Sequence, residues 1–178
     1  MIELITGGSG SGKSEYAEAR ISALHRGNPD KPLIYIAAMK PFGDEAGERI
    51  ARHRKMRAGK GFITVERYID IEHLSFETGS DALLECLGNL TANEMFSGEG
   101  VDNNCAERIK RGIDALARKC KNLCIITNEV FSDGIKYSSD TDLYMRKLAE
   151  INIYTAEIAD RVTEVVCSVP VSIKGGAD

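Results

Sequence analysis

Residues 7–14 read Gly-Gly-Ser-Gly-Ser-Gly-Lys-Ser and meet every specified position of the phosphate-binding pattern G-x-x-x-x-G-K-[ST], namely Gly7, Gly12, Lys13 and Ser14. The pattern constrains the fold because it works only between a strand and a helix. Both neighbours suit: Met1-Ile2-Glu3-Leu4-Ile5-Thr6 is a short apolar strand candidate, and Glu15 to Arg26 can form a helix. In such a loop the backbone N–H groups of Gly7, Gly8, Ser9, Gly10, Ser11 and Gly12 converge on phosphate oxygens, and the helix N-terminus adds favourable partial charge. Lys13 would neutralise the outer phosphates, and the Ser14 hydroxyl would ligate magnesium. A flexible Gly/Ser turn is the plain alternative, but here all the constraints are met together at the start of the chain. The expectation is a domain that binds a nucleoside triphosphate.

A chain of 178 residues is one domain's worth, read as a single phosphate-loop unit over 1–178. Its 43% hydrophobic and 28% charged residues are those of a water-soluble globular protein. The net charge of −4 argues against general nucleic-acid affinity. No apolar run approaches the roughly 20 residues of a membrane span, and the first strand starting at once suggests no signal peptide. Cys86, Cys105, Cys120, Cys124 and Cys167 form neither a CxxC pair nor a zinc spacing. An odd number without a framework suggests reduced thiols in the cytoplasm. Cys86, Cys124 and Cys167 sit in apolar runs, where burial is expected.

Further strands are expected at Pro32–Ala37, Phe62–Val65, Asp81–Cys86, Leu123–Thr127 and Arg161–Ser168, with helices near 44–57, 88–97, 104–121 and 140–160. Short, near-continuously apolar strands alternating with helices indicate an α/β fold, a mostly parallel sheet covered on both faces. Right-handed crossovers then put the phosphate loop, and the functional residues generally, at the carboxyl edge of that sheet. Ser97–Asn104 and Asp133–Thr141 read as loops, and Lys174–Asp178 as a frayed tail.

Three other stretches bear on chemistry. Six of residues 49–57 are Arg, Lys or His, and on a helix Arg49, His53 and Arg57 share one face at i, i+4, i+8. A solvated basic face would explain the run. So would an anion site with an imidazole at its centre, since a neutral histidine nitrogen can attack phosphorus when cations disperse the developing charge. His25 and His73 lack this setting; His25 ends the first helix, where a cation suits the macrodipole. Asp81–Cys86 delivers the Glu85 carboxylate near a strand's carboxyl end, where an acid meets magnesium directly or through water, or merely caps the next turn. Thr127-Asn128-Glu129 ends another apolar strand, suiting either ligand contacts or turn formation.

Taken in order, these motifs resemble the bifunctional adenosylcobinamide kinase/adenosylcobinamide-phosphate guanylyltransferase family of cobalamin biosynthesis. The resemblance runs through Gly7–Ser14, Tyr35-Ile36-Ala37, Arg49–Arg57, Phe62–Glu66, Leu83-Leu84-Glu85-Cys86 with Asn93, and Thr127-Asn128-Glu129-Val130. Asn152, Ala159-Asp160 and Val169-Pro170 complete it. It implies phosphorylation of the aminopropanol hydroxyl of adenosylcobinamide by ATP or GTP, then transfer of GMP from GTP through a histidine to the new phosphate. By resemblance His53 carries the guanylyl group, Lys13, Ser14, Glu85 and Mg2+ hold the phosphates, Arg49 and Arg57 flank them, and Glu66 lies near the guanine. A homotrimer with sites between subunits is also implied. The chain departs from the family at Gly10, usually arginine, at Phe131, usually glycine, and at Lys136-Tyr137, usually valine-proline. Ala58 stands for a usual proline, and Ala149 and Ser168 each stand for a usual glycine. A single-activity guanylyltransferase or small-molecule kinase, and a nucleotide-binding regulatory protein, are the remaining readings.

Overall fold

The computed structural model describes residues 1–40, 59–98, 100–132, 134–135 and 137–176. The expected helix over 44–57, and with it Arg49, His53 and Arg57, lies outside the described residues. Within them, β1 (Ile2–Thr6) leads through the phosphate loop into α1 (Lys13–His25), then β2 (Leu33–Ala37). After β3 (Phe62–Glu66) and a 3-10 turn (Ile71–His73) come β4 (Asp81–Leu84), α2 (Leu87–Met95), α3 (Cys105–Lys119) and β5 (Asn122–Ile126). The chain ends with α4 (Ser139–Ile158), β6 (Arg161–Val166) and β7 (Val169–Lys174). The strands form one sheet in the order β3-β2-β4-β5-β1-β6-β7, in which every pairing is parallel except β6–β7.

Strand periodicity builds two cores. Leu4, Ile34, Ile36, Ala82, Leu84, Leu123, Ile125 and Val162 face α2, α3 and α4. Ile5, Leu33, Tyr35, Leu83, Cys124, Ile126 and Val165 face α1. Successive side chains of a strand point to opposite faces, so a sheet covered on both sides needs apolar residues at every position. On α3 the stripe Ile109, Ile113, Leu116 at helical spacing does the covering. The Ser138 hydroxyl caps α4 by accepting from Thr141 N, and Asp140 and Asp142 suit its N-terminal dipole.

Three expectations change. The last strand does not run to Ser168: the chain reverses at Cys167-Ser168, with φ of +49° and +65°, and returns as the antiparallel edge strand β7. Such two-residue turns normally announce themselves with Asn or Gly, and neither is present. Pro170 fits, because an edge strand can spare an N–H. Cys167 is therefore exposed on a turn instead of buried in a strand. Lys174 is not frayed either; it ends β7, and its ammonium donates to the carbonyls of Ala156 and Glu157 at the close of α4. Cys86 is buried as expected, but one residue beyond Glu85 it caps α2, its sulfur accepting from Asn89 N at 3.4 Å.

Candidate active site

Strand register aligns the carboxyl ends in one row. Thr6 pairs with Glu164, Ile5 with Ile126, Leu84 with Ile125 and Ile36, and Ala37 with Glu66. The residues that follow, Gly7, Ala38, Glu85 and Thr127, thus leave the sheet side by side. The expected edge location of Gly7–Ser14, Glu66 and Glu85 is the observed one. What parallel pairing adds is that these ends are level, because each strand's first free N–H bonds its neighbour: Glu85 N to Ile36 O, Thr127 N to Ile5 O, Glu129 N to Gly7 O.

The phosphate loop is fastened from two sides. Glu129 N donates to the Gly7 carbonyl at 3.1 Å from the β5 side, and Ser168 N donates to the Ser11 carbonyl at 2.7 Å from the β6–β7 turn. Between these two fastenings the loop is closed on itself, the Ser11 N–H donating to the Gly8 carbonyl at 3.2 Å. Gly12 has φ +90° and packs so closely that an added Cβ would lie 2.5 Å from Ser168 Oγ. It precedes α1 without any side-chain cap, and a helix N-terminus of this kind suits an anion. Lys13 is buried, and its ammonium donates to the Gly8 carbonyl at 2.9 Å, lying across the loop. Ser14 is half-buried in the first turn of α1. At Gly10 an added Cβ would meet nothing within 4 Å, but φ there is +71°, a left-handed backbone that glycine adopts without strain.

Glu85 is the other fixed point. Its carboxylate is buried, accepting from the Tyr35 hydroxyl at 3.0 Å on one oxygen and from the Ala38 and Met39 backbone N–H groups at 3.1 and 3.3 Å on the other. The Asn93 amide donates to the Ala38 carbonyl at 2.8 Å. Glu85 and Asn93 thus hold the chain where it leaves β2 towards residue 40. The sequence motifs include Tyr35, Glu85 and Asn93 separately, but nothing in them pairs Glu85 with Tyr35 or with the backbone of Ala38 and Met39. Glu66 is exposed at the end of β3, and its carboxylate accepts from Tyr68 at 2.8 Å.

Beyond β5, Thr127 donates to Asn152 Oδ1 at 2.7 Å and Asn128 donates to Cys86 Sγ at 3.5 Å. Burial pushes the Cys86 thiol up, which keeps it protonated. Nearby Tyr144 donates to the Gly88 carbonyl, and burial pushes its phenol up to about 12. Glu129 accepts from Phe131 N and Ser132 Oγ. His25, read as a dipole partner, binds Asp81 at 2.9 Å, at the sheet edge opposite the loop, with Asn28 and Asn122 on the same carboxylate. It belongs to the scaffold. Among the described residues no group of three or more His, Cys, Asp and Glu side chains could hold a metal, and no helix is long and apolar enough to cross a membrane.

Comparison with known proteins agrees with this geometry. A family model described as cobinamide kinase / cobinamide phosphate guanyltransferase matches residues 3–173. The bifunctional adenosylcobalamin biosynthesis protein CobU of Escherichia coli K12 is 31% identical over 189 residues, covering 98% of this chain and all of that protein. Its namesake from Salmonella typhimurium LT2 is 32% identical over 192 residues with the same coverage. Among solved structures, an ATPase domain superposes with a TM-score of 0.53 at 10% identity, over 92% of this chain and 68% of that one. That likeness concerns the fold alone.

Proposed function

The chain belongs to the cobinamide kinase / cobinamide phosphate guanyltransferase family of cobalamin biosynthesis, and we propose that both family activities run on the sheet edge formed by Gly7–Ser14, Glu66 and Glu85, with His53 as the guanylyl carrier. The observation that carries this reading is the joining, at one edge, of an intact phosphate loop, a buried carboxylate, and the start of the segment in which His53 lies.

In the kinase step the acceptor hydroxyl oxygen bonds to the γ-phosphorus of the nucleoside triphosphate. The bond to the β–γ bridging oxygen breaks, and the diphosphate leaves with that electron pair as the hydroxyl proton is released. The loop amides and Lys13 stabilise the charge that moves onto the phosphate oxygens. In the transferase step a neutral imidazole nitrogen of His53 bonds to the α-phosphorus of GTP, and pyrophosphate departs with the bridging oxygen's electrons. An oxygen of adenosylcobinamide phosphate then takes the guanylyl group, and the N–P electron pair returns to the imidazole. Arg49 and Arg57 supply countercharge, and Glu66 lies near the guanine.

The donor set fits magnesium, which binds through one or two carboxylates together with substrate phosphates and water. Ser14 and Glu85 would hold it, and it would supply charge neutralisation at the phosphates. Self-association, as a homotrimer by the family resemblance, is supported by the outward face of β7, where Val169, Val171 and Ile173 are 59%, 44% and 62% exposed on an edge strand. The five free thiols suit the cytoplasm.

Incubation with GTP labelled at the α-phosphate tests the transferase. An acid-labile, base-stable label that disappears in His53→Ala is the expected result, and GTP binding without any label refutes the reading. Phosphate transfer to cobinamide tests the kinase and should vanish in Lys13→Ala.

A further inference from the structure

Glu18 lies on α1 with its side chain 2% exposed, and the Lys60 ammonium meets it at 2.7 Å. Among the described residues, Lys60 is the partner of this carboxylate. Neither residue has a place in the kinase and transferase steps described above. A buried carboxylate without a countercharge is strongly disfavoured, so the pair is held where it is.

Its location gives it a role. Glu18 follows Ser14 by four residues on α1, so the two share one helix face, separated by roughly one turn. Helical side chains lean towards the N-terminus, which places the ion pair just below the phosphate loop. Lys60 stands between Gly59 and Gly61, both left-handed at φ +81° and +79°, and an added Cβ at either would meet nothing within 4 Å. A side chain at either glycine would gain no contact; the Lys60–Glu18 ion pair ties this turn to α1 just before β3 begins, where Phe62 packs against the same α1-facing core. The other end of the same connection is fastened at Ala38 and Met39 by Glu85 and Asn93. The stretch between β2 and β3, in which His53 stands in the sequence, is therefore tied at both ends to groups beside the phosphate loop.

We propose that Glu18 and Lys60 are a positioning pair for guanylyl transfer, fixing the point at which the β2–β3 connection returns to the phosphate-loop helix. The proposal rests on His53 being the nucleophile. The test replaces both members in the full-length protein, Glu18→Met with Lys60→Met. Glu18 is buried while Lys60 is 36% exposed; exchanging both charges at once for apolar side chains of similar volume leaves no unpaired buried charge and is commonly neutral for stability, so the variant should fold and melt like the parent.

The expected result is a fall of at least about tenfold in the rate of His53 labelling from α-labelled GTP, since a misplacement of roughly 1 Å can cost about a hundredfold. The fall should lie in kcat, with KM for GTP and phosphate transfer to cobinamide unchanged. A purely structural role would instead lower both half-reactions together, and that result overturns the proposal. So does wild-type labelling in the double variant. Absence of label in the parent protein as well overturns the His53 reading and this proposal with it, which separates the two failures. Lys60→Met alone should lower thermal stability, because it strands the buried Glu18 charge; an unchanged melting temperature also counts against the pair.

Discussion

The geometry of the phosphate loop is most sharply tested by Gly12→Ala. Gly12 has φ +90°, a conformation in which an L-residue costs about 1–2 kcal/mol. The new Cβ would sit 2.5 Å from Ser168 Oγ, 3.2 Å from its Cβ and 3.1 Å from its Cα. The hydroxyl can rotate away, but the backbone of Ser168 cannot move without carrying the β6–β7 turn off the loop, an overpacking that costs about 1–3 kcal/mol. Together the penalty is about 2–5 kcal/mol, which for a chain of this length lowers Tm by about 4–20 °C. Urea unfolding with and without GTP measures it, and GTP should stabilise the variant far less than the parent because the Ser168 N–H···O=C Ser11 hydrogen bond is displaced. Adding Ser168→Gly removes Oγ and Cβ but relieves neither the backbone clash nor the strain at residue 12. It should therefore restore about 1–2 kcal/mol beyond its effect in the parent, a coupling of the size neighbouring residues show. A Gly12→Ala protein with the parent's unfolding midpoint and full GTP stabilisation would refute the loop–turn packing.

The cysteines and the surface ion pairs give two further tests. Only Cys167 among the five is exposed, and burial raises the thiols of Cys86, Cys105, Cys120 and Cys124, that of Cys120 to about 12. At pH 8 a thiol reagent should therefore modify one group rapidly, and Cys167→Ser should abolish that fast phase; two fast thiols would contradict the burial of the rest. The Glu150 carboxyl is held below the usual range chiefly by the hydrogen bond from Lys110, and that of Asp102 chiefly by Asn104 N–H and then by Arg108. Both folded values lie below the unfolded ones, so their stabilisation is present above the unfolded pKa and lost as pH falls through the folded one. Glu150→Gln should flatten the acid limb of a stability–pH curve below about pH 4 by no more than about 0.5 kcal/mol, as befits a solvent-screened pair. At pH 7 it should cost stability by no more than that same small amount.

Glu85 illustrates how far sequence reasoning reaches. Its position at the end of an apolar strand is legible, because a carboxylate there has few structural uses in a phosphate-loop protein. Its partners are not, because Tyr35 reaches it across the β2–β4 pairing and Ala38 and Met39 contribute only backbone atoms, which carry no residue signature. Ser168 is hidden for a related reason: it acts on the loop through its N–H, far from Ser11 in the chain, at a turn lacking the usual glycine or asparagine. Glu18 looks like one more acid on a polar helix, and only its burial against Lys60 sets it apart.

Local pattern alone determined the strand–loop–helix start, the two-faced parallel sheet and the family, since each depends on residue types at short or fixed spacing. Tertiary structure decided which strands are neighbours. The order β2-β4-β5-β1-β6 sets Glu85 next to Ala38, Glu129 against Gly7 and Ser168 against Ser11. Those contacts span long stretches of sequence and are made largely by backbone groups. Their geometry follows from hydrogen-bond register between strands, which no single segment of the chain encodes.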